Sequence, residues 1–286
     1  SIVLPAGLSL HAAFPDEAED APTASGGLTL FVAYLPEVRL DLRALLGGAI
    51  NPAHDAADPA SLPMQAALHA EDLVPTGQPY GAPAFEDAPS ALPLETALTQ
   101  RHLRTLSDLV DWVVVELRPS AEAPGYRRSA LLLADGRVVD FDGGSVRFLG
   151  VEPGDYTVAM YHRTHLPATS AAPVALGQDA VAVDFTTAGT AAASSQREVA
   201  PGVFAQVSGD VDADGAVTPA DLAAFAEYHG ETGYSQGDLL LDGDATARDA
   251  QAGLVPALAP RPDGAPAPGR LDGRLRYTTD ADAGIL

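Results

Sequence analysis

Cysteine is absent from this 286-residue chain, so no disulfide, zinc–thiolate site or cysteine nucleophile can form. Lysine is absent as well: all 16 basic residues are arginine, and Asn51 is the sole asparagine. Cations are scarce beside 39 acidic residues, which leaves a net charge of −23. That balance excludes nucleic acid as a partner, because phosphate binding needs clustered cations, and it opposes docking on an anionic membrane surface. Long apolar runs are missing too. Stretches such as Val113–Val115 and Leu131–Ala134 fall far short of the roughly 18 residues of a membrane span, so none is expected. No Gly-x-Ser-x-Gly elbow, phosphate-binding loop or dinucleotide fingerprint occurs. Paired carboxylates for glycoside hydrolysis have no local pattern that selects a pair. The leading expectation is therefore a protein that is not an enzyme. The chain opens at Ser1 without a basic and apolar leader, and reads as the mature form of a secreted protein.

What is present is mostly strand signal. At roughly 150 residues per domain the length suggests about two domains. Ser1–Leu10 is apolar enough for a strand, followed by an acidic link, and Gly27–Leu35 reads as a second strand. In Val38–Leu45, Val38, Leu40 and Leu42 alternate with Arg39, Asp41 and Arg43, the period of a half-buried strand. Met64–Leu73 is long enough for one short helix. Trp112–Arg118 is β-branched, with Trp112 as a core anchor. Ser129–Ala134 and Arg137–Phe141 flank Asp135-Gly136, a hairpin signal. Val146–Leu149, Tyr156–Arg163 and Ala180–Phe185 follow. Short strands at this spacing predict a mainly β fold with antiparallel sandwich packing. The run from Val146 through Glu152-Pro153-Gly154-Asp155-Tyr156 to Val158 resembles the prealbumin-like sandwiches of bacterial surface proteins. His162 and His165 are three apart, which on one strand would point them to opposite faces and give them structural roles.

One motif carries chemistry strongly. Residues 210–221 place Asp210, Asp212 and Asp214 at loop positions 1, 3 and 5 and a turn-making Gly215 at 6. Ala216 offers a carbonyl at 7 and Asp221 closes the loop at 12. Calcium takes six to eight hard oxygens, and this spacing wraps them around one ion. Thr218-Pro219 opens a helix whose Leu222, Phe225 and Tyr228 share a face. A second, weaker copy lies 28 residues on, with Asp238, Asp242, Gly243 and Asp249 at positions 1, 5, 6 and 12 and Asp244 at 7. Leu240 occupies position 3, so one oxygen is lost there.

Two such loops resemble a dockerin-type duplicated calcium module of the EF-hand kind, over roughly residues 207–252. A wider resemblance spans about residues 25–250. It rests on Val38-Arg39-Leu40-Asp41-Leu42, Met64, Leu68, Leu73-Val74-Pro75 and Pro79-Tyr80, Val110–Arg118, Ala130–Asp140, Gly154–Val158, His162–Leu166 and Pro201–Phe204. These segments are similar to a family of large secreted bacterial surface proteins, often exported by the type IX system and labelled hemagglutinin-like or adhesin-like.

The expected organisation is an N-terminal strand and linker (1–26), a β-rich domain (27–106), a β-sandwich (107–188), a linker (189–206), the calcium module (207–252) and a Pro/Ala/Gly-rich segment (253–286). The resemblances imply an extracellular, calcium-stabilised structural or adhesive protein of the cell surface, with a carbohydrate or cell-surface ligand among its partners. Ser1–Leu10 is a candidate strand for addition to a neighbouring copy, so a homo-polymer through strand addition or exchange of terminal segments, a filament subunit, is expected. The alternatives are a dockerin-type module docking on a cohesin-like partner, or an accessory part of a carbohydrate-active enzyme.

Overall fold

The computed structural model describes residues 8–12, 30–55, 57–58, 61–80, 97–120, 123–191 and 195–258. Most of the expected Ser1–Leu10 strand and most of the C-terminal segment lie outside these residues. Strand β1 (Leu8–Ala12) pairs antiparallel with β2 (Leu30–Tyr34) of the same chain, Leu8 opposite Tyr34. In β3 (Glu37–Arg43), Val38, Leu40 and Leu42 are buried while Asp41 and Arg43 are exposed, as the alternation requires. The helix expected in Met64–Leu73 shrinks to one turn, α1 (Ala67–Ala70), with Leu68 buried. Ala66 supplies no side-chain cap, and Asp72 at φ 57° turns the chain away. A second helix, α2 (Gln100–Thr105), has no apolar stripe to announce it. A capping box starts it: the Thr99 hydroxyl accepts from the His102 N–H and the His102 ring accepts from the Thr99 N–H.

Strand β4 (Leu109–Arg118) is buried at every position but its last, so both faces of the sheet are covered there. On its flanks lie β5 (Tyr126–Leu133), which turns at Asp135-Gly136 into β6 (Arg137–Val139). Gly136 adopts φ +91°, the left-handed conformation that this tight turn needs. Then come β7 (Val146–Leu149), β8 (Gly154–His162), β9 (His165–Thr169), β10 (Val174–Leu176) and β11 (Ala180–Asp184). The strand order is β10-β8-β4-β5-β6-β3-β11, with β7 on β3 and β9 on β8.

The fold is mainly β with antiparallel sheets and few helices, as expected from the sequence. One pairing departs from that reading: β11 runs parallel to β3, Ala180 opposite Arg39. Antiparallel neighbours are usually short-range hairpins, whereas parallel ones need a long connection, and the chain supplies one between β3 and β11. Strand β3, from the expected 27–106 unit, belongs to the same sheet as strands from the expected 107–188 unit. A single buried apolar cluster runs from Val38 to Leu241. Trp112 anchors it. Its indole N–H donates to the Pro75 carbonyl (2.9 Å), its own carbonyl accepts from the Tyr80 hydroxyl (2.7 Å), and its ring meets Phe141 edge-on. The span expected as a linker, 189–206, carries a hairpin of β12 (Gln196–Ala200) and β13 (Val203–Gln206). The buried Gln206 amide donates to the Met160 carbonyl and ties that hairpin to β8.

The remainder holds the acidic loops. Helix α3 (Pro219–Tyr228) follows the first loop, and α4 (Ala247–Asp249) runs into a π turn, Ala250–Leu254, after the second. Val211, Phe225, Leu239 and Leu254 form a small core of their own. Of the α3 face expected to be apolar, Phe225 is buried, but Leu222 stays 44% exposed. No helix among the described residues is long and apolar enough to cross a membrane.

Candidate metal centre

The two acidic loops are built alike. Each begins at an Asp on the buried side of the module and passes through a left-handed non-glycine at position 4 (Ala213, φ 54°; Leu241, φ 56°). A left-handed glycine follows at position 6 (Gly215, φ 86°; Gly243, φ 91°). Each then ends on a threonine N-cap, Thr218 or Thr246, whose hydroxyl accepts from the N–H two residues on. Strain at position 4 is borne twice in the same place, which marks the second loop as a structural copy of the first.

In the first loop, Asp210, Asp212 and Asp214 each offer an oxygen, all within 4.8 Å of one another. Asp221 stands apart from that group. Its carboxylate takes backbone N–H groups from Val211 (2.7 Å), Asp212 (3.2 Å) and Thr218 (2.7 Å), and so pins the loop's start to its end. Ala216 lies at position 7 as expected, its N–H donating to Asp214 (2.9 Å). Burial pushes the Asp210 carboxyl up to about 8, and the charges on Asp221, Asp214 and Asp212 push the same way. Asp221 is raised to about 6, again by burial first, against the backbone donors that favour its charge. A site that resists its own ionisation in this way is suited to a divalent cation, and its hard oxygen donors fit calcium.

In the second loop the converging group is Asp238, Asp242 and Asp249. Asp249 takes N–H groups from Leu239, Leu240 and Thr246, as Asp221 does in the first copy. Asp238 accepts from Gly243 (2.9 Å) and Asp242 (3.0 Å) and is raised to about 6, mainly by burial. Asp244 is exposed and outside the group; its N–H leans on Asp242 at 3.4 Å. Leu240 contributes only its backbone, as its side chain requires. One feature escaped the sequence reading: the exposed guanidinium of Arg248 sits 3.1 Å from Asp242, a resident cation beside the poorer loop. The signal was present, since Arg248 follows Asp242 by six residues and lies in the first turn of α4.

A second constellation, buried except for the half-buried Tyr234, joins these loops to the sheet. His162 and His165 were expected to face opposite sides of one strand. They instead flank the Arg163-Thr164 turn between β8 and β9, directly paired, with their Nδ1 atoms 3.0 Å apart. A two-residue turn reverses the chain, so residues three apart become cross-strand partners. His162 Nε2 and the Nε of Arg163 lie 3.1 Å from Oδ2 of Asp111, while Tyr234 donates its hydroxyl to the Asp111 Oδ1 (2.7 Å). Burial alone would push the Asp111 carboxyl up, but Arg163, His162 and Tyr234 outweigh it and hold it below the usual carboxylate range. The guanidinium of Arg163 stacks 4.2 Å from the centre of the Tyr234 ring and donates to the Ser235 carbonyl. The Gln236 amide returns a donor to the Arg163 carbonyl. Thr164, His162 and Asp111 are spaced as a hydroxyl–imidazole–carboxylate relay, yet all three are shut off from solvent.

No family model matches this chain, and no curated protein does. Among solved structures it is similar to two type II cohesin–X–dockerin complexes from Acetivibrio cellulolyticus. With an N-terminal interface mutant the identity is 16% and the TM-score 0.33, over 57% of this chain and 88% of that one. With a C-terminal interface mutant they are 16% and 0.31, over 51% and 80%. Likenesses of that depth assign neither fold nor function to this chain.

Proposed function

We propose that this chain is a calcium-stabilised, extracellular protein of the cell surface, structural or adhesive in role, whose paired loops are ion-loaded staples fastened to a β scaffold. The observation that carries the reading is the duplicated loop geometry: two acidic turns with the same backbone strain, the same N-cap and the same closing aspartate. Binding calcium there relieves carboxylate repulsion and stabilises the folded state by linkage. The resemblance to secreted hemagglutinin-like or adhesin-like surface proteins supports the location, and the absence of cysteine makes an ion the available cross-link.

The test is calorimetric titration of chelated protein with calcium, joined to sedimentation velocity in millimolar calcium and after chelation. One or two calcium ions binding with release of protons is the expected result. No heat of binding at either loop refutes the reading. Sedimentation then decides the architecture: large polymers establish a filament subunit, and a monomer near 29 kDa in both conditions removes the polymer. A second reading, a dockerin-type module docking on a protein partner, is favoured by Leu222, a large apolar side chain left exposed on α3. It requires a heteromeric partner whose binding Leu222→Ala weakens.

A further inference from the structure

The turn that fastens the loops to the sheet carries two histidines whose protons the hydrogen bonds locate. The Gly48 N–H donates to Nε2 of His165 (3.1 Å), so that nitrogen holds a lone pair and the ring's proton is on Nδ1. The Thr164 N–H donates to Nδ1 of His162 (3.3 Å), so the proton of that ring is on Nε2, where Asp111 accepts it. The proton on His165 Nδ1 therefore points at two acceptors, Nδ1 of His162 at 3.0 Å and the Thr164 hydroxyl oxygen at 2.9 Å. Each ring is neutral and each tautomer is fixed. The same assignment argues against a metal held between the rings, because the Nδ1 lone pair it would need on His165 carries a proton.

We propose that His162 and His165 form an acid-sensitive latch between the β sheet and the duplicated loops, closed while both rings are neutral and opened by one added proton. That proton finds one neutral acceptor, the Thr164 hydroxyl oxygen, and that oxygen already lies 2.9 Å from the protonated Nδ1 of His165. On His162 Nδ1 it faces the N–H of Thr164 and the Nδ1–H of His165, with only the Thr164 hydroxyl, at 3.3 Å, able to accept it. On His165 Nε2 it faces the N–H of Gly48. The charged groups around the pair offer little relief. Arg163 of the turn and Arg197 of β12 repel an imidazolium at this spot. Asp111 of β4, the one carboxylate among the described residues that touches the pair, already accepts from Arg163, from Tyr234 and from the Trp112 N–H (2.7 Å). Tyr80 and Tyr234 are neutral, their hydroxyls held well above the ordinary range by burial. Asp238 of the second loop acts on Arg163. Burial, then His162 and the two arginines, keeps His165 well below its ordinary 6.5, and burial lowers His162 against the pull of Asp111.

Opening this turn loosens the loops because the turn is bonded to the segments that lead into both of them. Thr164 accepts the Gly209 N–H (2.9 Å), Leu166 donates to Val207 (2.8 Å), and Arg163 exchanges bonds with Ser235 and Gln236. Gly48, the donor to His165, is packed so closely on the Leu239 backbone that a Cβ there would lie 1.8 Å from its carbonyl oxygen. The latch does not depend on whether the loops bind calcium.

The test is hydrogen exchange of the full chain in saturating calcium from pH 7.5 to 4.5, with rates corrected for intrinsic pH dependence. The variant is the double substitution His162→Gln and His165→Gln, which keeps a donor for Asp111 and an acceptor for Gly48 but cannot gain charge. Wild type should open residues 205–258 about tenfold more per pH unit below about 6.5 if one ring charges on opening, and about hundredfold if both do. Strand β4 should stay protected until lower pH, and the variant should lose the histidine-dependent slope. Equal slopes in both proteins, or simultaneous loss of protection in β4 and residues 205–258, overturn the latch. If the variant does not fold, imidazole nitrogen shifts of wild type decide it. Fixed Nδ1–H on His165 and Nε2–H on His162 down to the opening pH support the latch. Titration of either ring near 6.5 with the seam still protected refutes it.

Discussion

Removing calcium from the first loop should cost the protein stability by an amount the geometry bounds. Three carboxylates there approach within 4.8 Å. Asp210, raised to about 8, holds a proton near neutral pH when no ion is bound. The charged pair left, Asp212 and Asp214, is exposed, so solvent screens its repulsion to about 1 kcal/mol or less. A bound divalent cation reverses the sign of that term. For an ion at a hundredfold excess over its dissociation constant the folded state gains about 2.7 kcal/mol, or about 5–10 °C in melting temperature for a chain of this size. Asp214→Ala removes a ligand and a repelling charge together. In millimolar calcium the variant should melt below wild type by most of that interval. In chelator it should match or exceed wild type, because the repulsion is gone too. Scanning calorimetry of both proteins in both conditions measures the crossing. A variant equally destabilised with and without calcium refutes the reasoning, since it would mean that Asp214 serves the apo fold and no ion.

Chelation also exposes a pH dependence. Asp210, raised to about 8, binds a proton in the folded state that it lacks unfolded, so its stabilising share is lost as pH rises through 8. Chelated protein should therefore melt lower at pH 8.5 than at 6.5, by at most about 1.4 kcal/mol per pH unit, and calcium should flatten the slope. Asp111→Asn leaves Arg163 buried without its counter-charge and should cost about 3–5 kcal/mol, seen as a lower denaturation midpoint. Gly48→Ala drives a methyl group into the Leu239 carbonyl and should loosen exchange in residues 205–258 before β4. Arg248→Ala frees Asp242 from its exposed partner and should tighten calcium at the second loop by a few-fold at most, measured by titration calorimetry.

The strands could be read from the chain where local chemistry alone decides them. Period-2 alternation located β3, the β-branched run located β4, and Asp135-Gly136 located the β5–β6 hairpin, because each signal lies within a few residues. Strand β9 was not visible, since Pro167 interrupts its run and its pairing to β8 depends on a turn of ordinary residues. The parallel β11–β3 contact was not visible either. A pairing across some 140 residues leaves no local mark, and Ala180–Asp184 reads the same whichever way its neighbour runs. Helix α2 came from a Thr99–His102 capping box rather than the Glu or Gln such boxes usually carry, so its start signal was in an unfamiliar form.

The loops were legible for the reason that made β11 obscure. A metal loop is a local object whose ligands lie within 12 residues, so spacing alone gathers Asp210, Asp212 and Asp214. What spacing could not give is how the module is held. Asp111, His162 with Arg163, and Tyr234 come from three distant parts of the chain and meet only once the sheet has formed. Their meeting has a consequence for the loops. Ser235 and Gln236, which bond Arg163, are separated only by Gly237 from Asp238, the first ligand position of the second loop. Ordering that loop around an ion therefore also steadies the backbone that the buried arginine grips. The link is four contiguous residues, Ser235 to Asp238, and needs no longer path: an ion at the second loop steadies the segment that Arg163 grips, while the histidine pair opens or closes on its own protons.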